Sequence, residues 1–292
     1  MKHQIDKSFL DWPLTFAHDI GIVGVINMSP DSYFKNSIAV DIGAAIEMAR
    51  KHISQGAHFV EIGGLSGGSS AKRISEEEEM LRTIPVIKAV HEEFPQVTII
   101  VDTFRSEIAR AGLENGAKWI NDVSALTYDS KMIDVAIEYD ATVVIMHLEG
   151  PGGHAGRKLN RPYYANVVQE VKDFFIDRIK TLTAAGIPKE HIIIDLGFGA
   201  GKRAAHDYDL FANIDVFNEL GCEQMAACSR KLFVEAVSPV PPDERLGGSI
   251  VGTLWCVLHG CKYIRVHEVR PYAQALDVWN CIVAKVEGNN KE

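Results

Sequence analysis

The sequence is poor in several features that would define a protein at a glance. Cysteine is scarce: there are five in 292 residues, an odd number with no Cys-x-x-Cys pair. Neither a disulfide framework nor a structural zinc site is expected, and the reading is reduced thiols in a cytoplasmic protein. Long apolar runs are missing as well. The longest have about five or six residues against the ~20 that a membrane span needs, so no membrane partner is expected. The opening residues Met1-Lys2-His3-Gln4-Ile5-Asp6 lack the apolar stretch of a signal peptide. Positive charge is in deficit, with 30 Lys and Arg against 39 Asp and Glu and a formal net charge of −9. That argues against nucleic acid as a partner and leaves room only for a local basic pocket. No His-x-His or His-Glu-x-x-His occurs, so a zinc hydrolase built from His147, His267, Asp102 and Asp195 has weak support. With 47% hydrophobic and 24% charged residues, the composition excludes disorder, collagen and low complexity.

What the chain does have is alternation. Short apolar runs lie near Ile22–Ile26, Phe59–Ile62, Thr98–Val101, Lys118–Ile120, Thr142–Met146, Ile192–Ile194, Gln224–Ala227 and Tyr263–Val266. Between them run segments of helical period at Ile42–Ser54, Glu76–Glu93, Arg105–Asn115, Ser130–Glu138, Tyr164–Ala185, Asp209–Leu220 and Ser249–His259, with a last helix at Ala273–Val286. Ser75 precedes four glutamates, Glu76 to Glu79, and predicts a helix cap in which Glu78 closes a capping box. The carboxylates of that turn are read as facing the helix macrodipole. Gly56, Gly116, Gly186, Gly221 and Gly260 each follow a helix, where a left-handed residue ends it. Strand followed by helix, eight times over, predicts an α/β protein with a single (β/α)8 TIM barrel spanning residues 1–292. A doubly wound sheet would need a glycine-rich turn after its first strand, and Asn27-Met28-Ser29-Pro30-Asp31 is not one.

In such a barrel, chemistry collects at the C-terminal ends of the strands. The runs here end in Asn27, Glu61, Asp102, Asn121-Asp122, Met146-His147, Asp195, Ser229-Arg230-Lys231, and Arg265 with His267. A barrel built only for structure does not need so many polar groups in one mouth. Arg265, His267, Lys231 and Arg230 supply positive charge suited to phosphate or pyrophosphate. Asn27 and Asp31 are oxygen donors of the kind Mg²⁺ takes beside substrate phosphates. Asp102, Asn121 and Asp195 can accept the paired N–H groups of an amino-pyrimidine edge. The implied substrate is a small planar heterocycle with a phosphorylated leaving group. The segment Gly197-Phe198-Gly199-Ala200-Gly201-Lys202-Arg203 looks like a phosphate loop. However, a Walker A motif needs glycine where Leu196 stands and Ser or Thr where Arg203 stands, so it is read as a flexible loop.

These residues carry a resemblance. The segments Gly24-Val25-Ile26-Asn27-Met28-Ser29-Pro30-Asp31-Ser32, Glu61-Ile62-Gly63-Gly64, Val101-Asp102-Thr103-Phe104, Gly116-Ala117-Lys118-Trp119-Ile120-Asn121-Asp122, Ile145-Met146-His147, Ile194-Asp195 with Gly197 and Gly199, Ser229-Arg230-Lys231 and Arg265-Val266-His267 resemble dihydropteroate synthase, in order, over nearly the whole chain. The resemblance implies a (β/α)8 barrel, a homodimer and a Mg²⁺-dependent transfer. In that family a 6-hydroxymethyl-dihydropterin diphosphate loses pyrophosphate while the amine of p-aminobenzoate attacks the methylene carbon. Carried over by position, Asp102, Asn121, Met146, Asp195 and Lys231 would bind the pterin. Asn27, Arg265 and His267 would hold pyrophosphate, with Asn27 on the metal. Asp102, Lys231 and the first-loop Asp31 would be the catalytic groups. Ser66, Gly67, Gly68, Ala200 and Ser229 would shape the second-substrate pocket.

Departures from the family pattern cluster in that second pocket. The family's Gly-Gly-Glu-Ser-Thr-Arg-Pro-Gly is here Gly63-Gly64-Leu65-Ser66-Gly67-Gly68-Ser69-Ser70, with Lys72 and Arg73 close by as replacement cations. A phenylalanine of the family's sixth-strand loop is Ala200. Three readings follow: a dihydropteroate synthase with a variant second loop, a paralogous pterin transferase for another arylamine or nucleophile, and a catalytically silent pterin-binding protein. A methyltetrahydrofolate methyltransferase fits the motifs less well.

Overall fold

The computed structural model describes residues 20–29, 37–65, 74–148 and 164–289. Eight parallel strands close into a barrel in chain order: β1 (Gly21–Asn27), β2 (Phe59–Gly63), β3 (Thr98–Asp102), β4 (Ala117–Asp122), β5 (Thr142–Met146), β6 (Ile192–Asp195), β7 (Glu223–Ala226) and β8 (Tyr263–Val266). β1 pairs with both β2 and β8 and shuts the ring. Helices α1 (Ile42–Ser54), α2 (Glu76–Glu93), α3 (Ser106–Glu114), α4 (Met132–Glu138), α5 (Val167–Ala185), α6 (Ala204–Ala212), α7 (Leu232–Val237), α8 (Leu246–Leu258) and α9 (Val269–Asn289) connect the strands.

Because both faces of each strand are covered, the strands read as nearly continuous apolar runs. Alternate residues nevertheless serve different cores. Ile99 and Val101, Val143 and Ile145, and Ile192 and Ile194 pack outward against helices. Ile100, Val144 and Ile193 point into the barrel, where they meet Val23 and Met225. At the N-terminal end the barrel is stopped by Phe59, Trp119 and Tyr263, whose ring centroids lie 4.6, 5.1 and 5.6 Å apart. The interior is therefore filled from below, and its open, polar end is the C-terminal one.

The five helix-ending glycines all have positive φ, between 65° and 113°. Ser75 caps α2, its side chain accepting from the Glu78 amide at 3.1 Å. The rest of the expected capping box is replaced, since the Glu78 carboxylate takes the Arg82 guanidinium one turn on. Glu79 departs further from its expected macrodipole role. It is wholly buried and accepts from Thr103 Oγ1 and Arg105 Nη1, each at 2.6 Å.

Several boundaries differ from the sequence expectation, α8 beginning at Leu246 rather than Ser249 and α9 at Val269 rather than Ala273. α5 begins at Val167, because the Asn166 side chain accepts from the Gln169 amide and the Glu170 carboxylate accepts from the Asn166 amide. α6 begins at Ala204, and the region expected to continue it, Ile214–Leu220, winds as a 3₁₀ helix. The six-residue α7 is too short to show a period in sequence.

Candidate active site

Register places the polar residues. Asn27, Gly63, Asp102 and Asn121 are successive neighbours in one row across β1, β2, β3 and β4. Met146 pairs with Asp195 on β5 and β6. Two residues below this row on β2 is Glu61, and Arg265 stands inward on β8. A Cβ on Gly63 would lie 2.9 Å from Asp102 Oδ2, so glycine there keeps room for the carboxylate.

The side chains join in two groups. Asn121 Nδ2 donates to Asp102 Oδ1 at 2.7 Å. Arg265 donates through Nη2 to Asp195 Oδ2 at 2.7 Å and through Nη1 to Glu61 Oε2 at 3.2 Å. The second oxygen of Asp195 accepts from the Gly197 amide at 2.8 Å. Two acids thus share one guanidinium, and Asp102 is near enough to feel its charge. Burial pushes Glu61 up to about 7 against the pull of Arg265. Burial also raises Asp102 to about 6, with Arg265 and the Asn121 amide opposing it. Burial works against the charge of Arg265 too, but Glu61, Asp195 and Asp102 outweigh it and hold its pKa above the ordinary arginine range.

His267 Nδ1 and Ser229 Oγ lie 2.8 Å apart. Burial, then the charges of Lys231, Arg230 and Arg265, lower His267 to about 3, so it is neutral near pH 7. Ser229, expected in the second-substrate pocket, is therefore coupled to His267, which was expected to hold pyrophosphate. The stem of Lys231 runs beside Gly199, whose Cβ would sit 3.5 Å from Lys231 Cδ. Asn27 spends Nδ2 on Ser37 Oγ at 2.7 Å, leaving its amide oxygen as the remaining polar atom of the side chain. One hard oxygen at the barrel mouth fits a Mg²⁺ ion that takes its other ligands from phosphate and water. Among the described residues no cluster of three or more His, Cys, Asp or Glu could hold a metal by itself.

Several strand-end residues serve the fold instead. Arg230, expected among the anion-binding cations, is 3% exposed and donates to the Pro242 carbonyl at 2.6 Å while pairing with Glu268. It stands at φ 59°, braced by Ser249 Oγ on its amide at 2.8 Å. Asp122 accepts from the Ser124 and Leu126 amides and shapes the turn that holds Ala125 and Leu126 at positive φ. His147, lowered to about 2 by burial and then by Lys202, packs its ring on Phe174 at 4.9 Å. Asp31, Ser66, Gly67, Gly68, Lys72 and Arg73 lie outside the described residues.

The sequence reading gave Glu61 no role, although its two-residue spacing from Gly63 places both on the inward face of β2. It weighed Lys202 only as part of a discounted phosphate loop and passed over Asp207. Lys202 donates to three backbone carbonyls and Asp207 accepts the Gly199 amide at 2.9 Å.

With this geometry in view, the comparisons are decisive. A family model described as pterin binding enzyme matches residues 23–267. The chain belongs to the dihydropteroate synthase family of pterin-binding enzymes. A dihydropteroate synthase of Haemophilus influenzae is 36% identical over 258 residues, covering 88% of this chain and 92% of the relative. The Xanthomonas albilineans dihydropteroate synthase solved with 4-aminobenzoic acid superposes with a TM-score of 0.82 at 32% identity, covering 91% of this chain and 94% of that one. The same organism's dihydropteroate synthase in complex with 7,8-dihydropteroate gives a TM-score of 0.79 at 31% identity, over 92% and 95% of the two chains. The matched residues of the family model run from β1 to His267 and so include every described strand-end group named above.

Proposed function

We propose that this chain is a working dihydropteroate synthase, a single-domain transferase that joins 6-hydroxymethyl-7,8-dihydropterin diphosphate to an arylamine and releases pyrophosphate. The observation that carries the reading is the pairing of Asp102 with Asn121 and of Asp195 with Arg265 at one barrel mouth. Relatives of this architecture are solved with 4-aminobenzoic acid and with 7,8-dihydropteroate.

In this reading Asp195 and Asn121 take the amino-pyrimidine edge of the pterin, Asp102 faces the other ring, and Met146 packs beside it. Lys231 adds a hydrogen bond to the pterin and lies towards the departing group. When the carbon–oxygen bond to the diphosphate breaks, its electron pair leaves with pyrophosphate and positive charge develops on the pterin. Asp102 and Asp195 are fixed negative groups facing that charge, and Arg265 and neutral His267 meet the charge on the leaving group. The amine nitrogen then bonds to the methylene carbon and gives up a proton. Asn27 would hold Mg²⁺, and Asp31 is the further oxygen donor that the sequence offers for it. The ion supplies charge neutralisation of the diphosphate when bound.

A second reading, a transferase for a larger arylamine, is favoured by Ala200, because a methyl group stands where the family has a phenylalanine. Purified protein with pterin diphosphate and Mg²⁺ should release pyrophosphate on addition of p-aminobenzoate. Faster release with bulkier arylamines would favour the second reading, and none with any acceptor would remove both.

The apolar face shared by α8 and α9 is read as a homodimer interface. Leu254, Pro271, Ala275, Val278, Trp279 and Ile282 line it, and Val278 and Ile282 are 59% and 49% exposed. An apolar face of this kind suits an isologous contact with a second copy. At the end of α8, Trp255 turns inward, donating to the Phe211 carbonyl and stacking on His259. No described helix is long and apolar enough to cross a membrane. Five free thiols suit a reducing compartment, and the cytoplasm is the proposed location.

A further inference from the structure

The segment from Gly197 to Arg203 has the composition of a loose loop. Gly197, Gly199 and Gly201 all sit at positive φ, at 68°, 70° and 66°. Glycine is permissive there, and that freedom must be given up for the loop to hold one shape. Two buried side chains hold it. Lys202, 7% exposed, donates through Nζ to the carbonyls of His147 and Gly197 at 3.1 Å and of Ala200 at 3.3 Å. Asp207, fully buried on α6, accepts the Gly199 amide at 2.9 Å. The His147 amide in turn donates to the Asp195 carbonyl at 3.0 Å. The ammonium therefore ties the loop carrying Ala200 to the strand ends carrying the pterin acid.

The resemblance to a phosphate loop invites another role, with Lys202 binding an anion. Its burial and its bonds to three carbonyls oppose that. A lysine ammonium has three donors, and here they serve backbone oxygens. Removing it would leave those carbonyls short of a donor in a region poor in water, which costs more than the bond itself contributes.

We propose that Lys202 is a positioning residue for the second substrate. By clamping the carbonyls of His147, Gly197 and Ala200 it sets where Ala200 meets the arylamine. The pterin acid Asp195 is held chiefly by β6 and by Arg265, with the Gly197 amide as its side chain's link to the loop. This inference rests on the assignment of Ala200 to the acceptor pocket. It differs from a general structural role in its asymmetry: the acceptor should feel the loss of Lys202 and the pterin should not.

The test is Lys202→Met, with steady-state kinetics in both substrates and titration of pterin diphosphate with Mg²⁺. Because small misplacements near a reacting group are expensive, KM for p-aminobenzoate is expected to rise about tenfold or more while the dissociation constant for pterin diphosphate stays within about twofold. Hydrogen exchange should quicken at Gly199 and Ala200 and remain unchanged along β6. A parallel rise in both constants would make Lys202 a general prop and overturn the proposal, as would no change in either. If Lys202→Met does not fold, Lys202→Gln retains two donors and should show the same asymmetry at about threefold. Equal shifts in that variant overturn the proposal as well. A wild-type protein with no transferase activity overturns the acceptor-pocket reading itself, whereas an active wild type with symmetric variant effects overturns only the role of Lys202.

Discussion

Arg265 donates to Asp195 across 2.7 Å, joining residues 70 apart in sequence at the open end of the barrel. Neither group is easily spared, since Asp195 is fully buried and Arg265, 12% exposed, also holds Glu61. Removing the arginine leaves two acids out of water with no countercharge. Arg265→Met is expected to lower stability by about 3–5 kcal/mol, as for other broken buried pairs, measured by urea unfolding at pH 7. Arg265→Lys should recover only part of this, because a single ammonium cannot reproduce the fork.

Glu61 gives the fold a pH dependence of defined sign. Its pKa is raised to about 7 by burial. The folded state therefore holds a proton on Glu61 between the ordinary glutamate range and pH 7, whereas the unfolded chain does not. The contribution is fully present below the unfolded pKa and is lost as pH rises towards 7. His147 and His267, both lowered, act oppositely and lose stability as pH falls through the ordinary histidine range. A difference measurement isolates Glu61. Unfolding free energies of wild type and Glu61→Gln should converge near pH 4.5, with the variant gaining on wild type as pH approaches 7. A constant difference across that range would contradict the buried proton.

Two glycines separate site effects from fold effects. At Gly63→Ala the new methyl would press on the Asp102 carboxylate from 2.9 Å. The barrel should remain folded by circular dichroism while affinity for the pterin drops about tenfold or more, since one charge-assisted bond is worth that much. At Gly197→Ala the methyl would lie 2.2 Å from the His147 carbonyl oxygen, with φ at +68°. Expression and thermal stability should fall together there.

The sequence made the barrel legible because strand and helix periods differ and because glycine stands where each of five helices ends. The polar strand-end residues were legible because each closes an apolar run, and register then aligns Asn27, Gly63, Asp102 and Asn121 in one row. Partnership was not legible. Arg230 and Arg265 look alike as strand-end cations, yet one is tied to Pro242 and Glu268 of the fold, and the other uses two of its five N–H donors on Asp195 and Glu61 at the barrel mouth. Glu79 reads as one more acid in an exposed first turn, and only packing of α2 against the end of β3 buries it on Thr103 and Arg105. Lys202 looked like part of a failed phosphate motif because its carbonyl partners are 55, 5 and 2 residues away and carry no side-chain signal.

The exposed side chains on α9 make the oligomer testable. Sedimentation velocity is expected to give a dimer for the wild type and a monomer for Val278→Glu with unchanged circular dichroism, since a charge on both sides of an isologous contact is placed there twice. A monomeric wild type at micromolar concentration would remove the interface.

The proposed division of labour at the barrel mouth puts acids on β3 and β6 against the ring and Arg265 and His267 against the diphosphate. Calorimetric titration of two ligands, the pterin diphosphate and the same hydroxymethyl pterin without its diphosphate, tests this most directly. Asp195→Asn should weaken both ligands alike, whereas His267→Ala should weaken only the diphosphate, by about tenfold for a lost hydrogen bond to a charged group. If His267→Ala weakened both equally, or if Asp195→Asn left the bare pterin unaffected, the division of roles would be wrong.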